Sequence, residues 1–141
     1  MRKFLFTVLC FLIVSFSFSQ EDKSRYAKNS MKVNSVAAVD YINTNLKLDS
    51  KQKAIVMNAY AEYAANMIKA HAKTGTKKGK DGNARTKDML AKKELNKYVM
   101  RFSVKRDEMV KKCLKKRQIV KYNDLIRSIN PHTLQVKKIK K

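Results

Sequence analysis

Residues 50–72 read SKQKAIVMNAYAEYAANMIKAHA, and within them Ile55, Val56, Ala59, Tyr60, Tyr63, Met67 and Ala70 recur every three or four positions. That period places them on one stripe of an α-helix. Alanines at 54, 59, 61, 64, 65, 70 and 72 favour helix by propensity and allow close packing. Leu48-Asp49-Ser50 precede the stripe, and Asp49 or Ser50 is a natural N-cap. Working upstream, Val36, Val39, Ile42 and Leu46 fall at 3-3-4 spacing and predict a helix over 33–46. Downstream, Met89, Leu90, Leu95, Tyr98, Val99, Phe102, Met109, Val110 and Cys113 predict a third helix from Thr86, an acceptable N-cap, to Lys112. A fourth, from Lys115 or Lys116 to Ile129, carries Ile119, Tyr122, Ile126 and Ile129 on one face and stops at Asn130-Pro131. No strand pattern competes, so the expected fold class is all-α.

The third helix would run roughly 40 Å at 1.5 Å per residue. One small monomer cannot bury an apolar face of that length, so a partner surface is expected. Residues 73–85 hold all three glycines and five basic residues and read as a flexible cationic loop. The expected organisation is a segment 1–19, a loose polar leader 20–32, a helical domain 33–130 and a basic tail 131–141, frayed from Leu134 to Lys141.

Composition narrows the function. The 141 residues carry 33 Lys+Arg against 11 Asp+Glu, a formal charge of +22, with 3 Gly, 1 Pro, 2 His and 2 Cys. So few glycines exclude a Gly-rich phosphate loop, and two His with two Cys do not make a four-ligand zinc site at normal spacing. The charge alone suggests nucleic acid.

The N-terminus changes that suggestion. Met1-Arg2-Lys3, the apolar run Phe4 to Val14 and the small residues Ser17 and Ser19 read as a secretory signal peptide cleaved between Ser19 and Gln20. The apolar run is too short to span a bilayer comfortably. Cys10 follows Leu9 rather than the small residue a lipobox needs. Removal takes two basic residues and no acid, leaving 31 basic against 11 acidic residues, or +20, and a single cysteine, Cys113. Export without an internal disulfide fits a bacterial envelope or periplasmic protein. Nucleic acid drops out as a partner there, and anionic lipid, acidic polymer or acidic polypeptide takes its place.

Two helix entries repeat a pattern. Leu48-Asp49-Ser50-Lys51-Gln52 and Leu114-Lys115-Lys116-Arg117-Gln118 both place Leu-x-x-x-Gln at the start of an amphipathic helix. The leucine can pack back as a staple, and the glutamine can satisfy free N–H groups of the first turn. This arrangement resembles the Spy/CpxP family of periplasmic proteins, named for a twice-occurring Leu-Thr-x-x-Gln motif, over roughly Val33 to Ile129. The threonine position holds Asp49 in the first copy, a tolerable cap, and Lys115 in the second, which is not one. The resemblance implies a thin, cradle-shaped antiparallel homodimer built through the long helix. It also implies an ATP-independent chaperone, or a relative that regulates envelope stress or binds metal.

No catalytic chemistry is expected. Cys113 lies on the apolar stripe and reads as packing. His71 and His132 are not clustered with acids, and the methionines at 67, 89 and 109 sit on packing stripes, so no metal or other cofactor is expected. The expected partners are unfolded or acidic polypeptides and a second copy, with weak contact to anionic membrane. Helix position and the resemblance nominate Arg101, Lys105, Lys112 and Arg117 for attraction and Ile55, Met57 and Tyr60 for apolar contact. The alternatives are a cationic protein that coats anionic membrane or acidic envelope polymer, and an inhibitor of a stress sensor.

Overall fold

The computed structural model describes residues 28–75 and 84–137. The expected signal segment 1–19, the leader up to residue 27, loop residues 76–83 and the last four residues of the tail lie outside them. Four α-helices follow one another: α1 (28–46), α2 (Ser50–Gly75), α3 (Ala84–Cys113) and α4 (Lys116–Leu125). A 3-10 turn at Ile126–Ser128 continues α4. The fold is all-α, and no strand occurs among the described residues. An isolated extended bridge pairs Ile129 with Val136. From Met31 onward the chain forms one unit; of the unit before it, only the helical residues 28–30 are described.

The core follows the periodicity. Ala38, Val39, Ile42 and Leu46 of α1 are buried with Val56, Ala59, Tyr60, Tyr63, Ala64 and Met67 of α2. Val99 and Val110 of α3, Tyr122 of α4 and Ile129 join it, as do Met31, Leu114 and Leu134. Helices α2 and α3 run antiparallel, since Gln52 meets the Cys113 carbonyl and Tyr63 meets Ser103. Helix α1 runs antiparallel to the C-terminal part in the same way, with Leu46 beside Gln118 and Asn34 beside Thr133.

Several expectations are corrected. The leader's residues 28–32 are helical, and Met31 is buried in the core. Helix α2 extends to Gly75 and α3 begins at Ala84, so both ends of the expected loop 73–85 are helical and Thr86 is not a cap. Val36, Ile55, Met89 and Leu90 belong to no buried stripe; all four are exposed. Val36 and Ile55 sit on the flanks of their helices, about a quarter-turn from the buried axis, where spacing alone does not separate core from surface.

The tail is docked rather than frayed as far as Lys137. After Pro131 the chain reverses, with Asn130 N–H to Gln135 O at 2.8 Å and Lys137 N–H to Ser128 O at 2.8 Å. Leu134 closes this loop with φ 58° and is wholly buried (0% exposed). A left-handed backbone costs a side-chain-bearing residue about 1–2 kcal/mol, and burial of a leucine offsets it.

Lys47, at the end of α1, has φ 50° and an exposed side chain, with no burial to compensate. It occupies the left-handed position after a helix that glycine normally fills. Lys47→Gly is therefore expected to raise the unfolding free energy in urea by about 0.5–1 kcal/mol. Leu134→Gly relieves the same backbone but removes a buried side chain and is expected to lower it by about 2–4 kcal/mol.

Candidate functional site

The two Leu-x-x-x-Gln segments meet in space. At the first, Asp49 Oδ1 accepts from Gln52 N–H at 2.8 Å while Gln52 Oε1 accepts from Asp49 N–H at 3.2 Å, a reciprocal capping box. At the second, Gln118 Oε1 accepts from Lys115 N–H at 2.9 Å, and the Lys115 side chain caps nothing. Each glutamine amide then crosses to the other junction. Gln52 Nε2 donates to the Cys113 carbonyl at 2.8 Å, and Gln118 Nε2 donates to the Leu46 carbonyl at 3.2 Å. The two amides also face one another, at 3.0 and 3.4 Å. So each glutamine caps its own helix start and the helix end that leads into its counterpart. Leu114 is buried and Leu48 packs half-buried against the core. Leu48, Gln52, Leu114 and Gln118 form a structural knot.

A second polar assembly lies on the inner face of α3. Arg106 follows Phe102 by four residues and Val99 by seven, so helix geometry turns it inward. Only 6% of its side chain is exposed. Its guanidinium lies over two tyrosine rings, 4.9 Å from the Tyr60 centroid and 4.8 Å from Tyr63. Nε and Nη2 both reach Asp107 Oδ1, at 2.8 and 2.7 Å. Tyr122 donates to the same oxygen at 2.8 Å, and the Tyr60 and Tyr122 hydroxyls lie 3.4 Å apart. Tyr63 donates to the Pro131 carbonyl at 2.6 Å. One buried cation thus ties α2, α3, α4 and the loop after Pro131. Burial opposes the charge on Arg106, but the surrounding Tyr60 and Tyr122 oxygens and the Asp107 carboxylate outweigh it and hold the group protonated.

The outer flank of α3 carries the nominated cations. Arg101, Lys105 and Lys112 are exposed and spaced by four and seven, which places them along one face. Lys105 pairs with Glu62 of α2 at 2.5 Å. Beside them are two exposed apolar side chains, Met100 at 72% and Val104 at 59%. Arg117 is exposed but stands in the first turn of α4, on a different element. The apolar nominees do not gather. Ile55 is exposed, Met57 is half-buried against the core, and a separation of two residues turns them to opposite sides of α2. Tyr60 is corrected outright: at 0% exposed it is a core residue whose ring stacks on Arg106, with no face to offer a ligand.

A shallow pocket of about 10 Å³ opens between α2 and α3, lined by Ala59, Tyr63, Phe102, Arg106 and Met109, with Glu62, Asn66 and Lys105 at the polar positions. Sequence reasoning missed Arg106. The available signal was an arginine in register with Val99, Phe102, Val110 and Cys113, on a stripe otherwise apolar. Among the described residues no group of three or more His, Cys, Asp or Glu side chains is placed to hold a metal ion. Cys113 is half-buried, its thiol 3.0 Å from the Val110 carbonyl, and burial raises its pKa.

No protein-family profile, no curated protein and no solved structure matches the chain.

Burial raises the pKa of Tyr60, Tyr63 and Tyr122 above the ordinary 10.0. The folded state holds these phenols neutral, so their contribution is fully present below pH 10 and is lost as pH rises through the folded values. Absorbance titration at 295 nm should find three of the six tyrosines ionising above 10.0 together with loss of helicity. Ionisation of all six near 10 in the folded protein would contradict the buried network.

Proposed function

We propose that the chain is an exported, basic helical protein that holds unfolded or acidic polypeptides without ATP, in the manner of the Spy/CpxP-like periplasmic proteins that its paired motif resembles. In this reading residues 1–19 direct export, and the exposed apolar positions Met89 and Leu90 of α3 meet a second copy in an antiparallel homodimer. The observation that carries the reading is the row Arg101, Lys105 and Lys112, with Met100 and Val104 exposed beside it. Positive charge accelerates encounter with anionic segments, and aliphatic and methionine side chains then hold varied sequences weakly.

The competing reading is a coat on anionic membrane or acidic polymer. It is less favoured, because every exposed large apolar side chain among the described residues is aliphatic or methionine. Interface binding draws on aromatic anchors, and here the described Tyr and Phe rings are buried or half-buried.

Light scattering of a denatured client, with equimolar protein at low and moderate salt, tests the proposal. The wild type should suppress aggregation, and the effect should weaken with salt. A triple variant with Arg101, Lys105 and Lys112 each changed to Gln should need about three- to tenfold more protein for the same suppression. No suppression, together with binding to anionic vesicles, would establish the competing reading instead.

A further inference from the structure

We propose that the pocket at Arg106, between α2 and α3, is a carboxylate-binding site gated by the Lys105–Glu62 ion pair. Arg106 offers five N–H donors in a planar fork, and the protein uses two of its three nitrogens. Nε and Nη2 converge on one oxygen, Asp107 Oδ1. Among the described residues no acceptor stands at Nη1. Among the described residues no buried side-chain nitrogen or oxygen lacks a partner, so Nη1 reaches open space, and Arg106 lines this pocket. The guanidinium lies over the Tyr60 and Tyr63 rings, which hold it in place beside the pocket. A rigid guanidinium edge, stacked and pre-oriented, matches a planar oxyanion.

The surroundings select a monovalent carboxylate. The space admits one oxygen-sized group. One carboxylate oxygen would sit against the Arg106 edge and the other would take the Lys105 ammonium at the mouth. Ala59, Phe102 and Met109 supply an apolar wall for the methylene stem of an acidic side chain, and Asn66 adds an amide at the rim. Glu62 disfavours a second negative charge. In the resting state Lys105 and Glu62 close the mouth as a pair with both side chains exposed, the kind of ion pair that opens at little cost. The site does not depend on the polypeptide-holding reading, because a small carboxylate alone would fill it.

The test is an NMR titration of the full ¹⁵N-labelled chain with N-acetyl-glutamate methylamide and, separately, with the glutamine analogue. Saturable shifts at Phe102, Arg106 Nε–Hε and Met109 are expected with the first and not the second. Glu62→Gln should tighten binding and Lys105→Gln weaken it, each by about two- to fivefold, the range set by an exposed ion pair. Lys112→Gln, on the same face but outside the pocket, should change neither. Absence of saturable shifts, or a loss with Lys112→Gln equal to that with Lys105→Gln, would overturn the site in favour of diffuse attraction. An unfolded acidic peptide used in place of the small probe separates the two sources of carboxylate. Peptide binding without pocket shifts would remove the site and leave the polypeptide reading standing. Pocket shifts with the small probe and none with the peptide would keep the site and assign it to free carboxylates.

Discussion

The reciprocal amide pair of Gln52 and Gln118 is the constraint on which the rest of the arrangement hangs. Each glutamine caps one helix start and donates its amide N–H to the carbonyl of a helix end at the other junction, so α1, α2, α3 and α4 are pinned at one locus. With that locus fixed, α2 and α3 run side by side in a single register. This register sets Arg106 over Tyr60 and Tyr63 and brings Lys105 to Glu62. The pocket and the cationic flank are both consequences of the register.

Burying Arg106 would be costly without compensation, since a desolvated ion loses several kcal/mol of hydration. The compensation comes from a carboxylate at 2.7 Å and two aromatic rings, with the Tyr122 hydroxyl bonded to the same carboxylate oxygen. Such a network contributes less to net stability than an apolar core of equal volume would, but it ties Tyr122 of α4 to the α2–α3 pair by directional bonds. Surface and interior thus divide the charge. One arginine fixes the interior, while the cations of the outer flank stay exposed beside Met100 and Val104.

Much of the fold is legible in the sequence, for reasons that differ by element. The four helices declare themselves because their apolar residues repeat at three and four, and the glutamine junction declares itself because the pattern occurs twice. Spacing gives the existence of a stripe but not its axis, so Val36 and Ile55, on the flanks, read as core and are exposed. Leu134 reads as tail because no local pattern encodes its docking, which depends on non-local bonds from Asn34 and Tyr63 to the loop after Pro131. Of the nominated contact residues, the cations of α3 share a face because four and seven are helical repeats. Tyr60 has the right spacing for the core and is found there. Arg106 is hidden by its chemistry: charge suggests surface, and only the register against Val99 and Val110 reveals that it points inward.

The account depends on the two helix junctions acting as one interlocked unit, and a double-mutant cycle of Gln52→Ala and Gln118→Ala measures that directly. Interlocked amides predict that each single change destabilises the protein and that the double change costs less than their sum, with a coupling of about 1 kcal/mol or more in urea unfolding. Additivity within about 0.3 kcal/mol would mean that the two glutamines act as independent caps, and the register they are held to impose would need another origin.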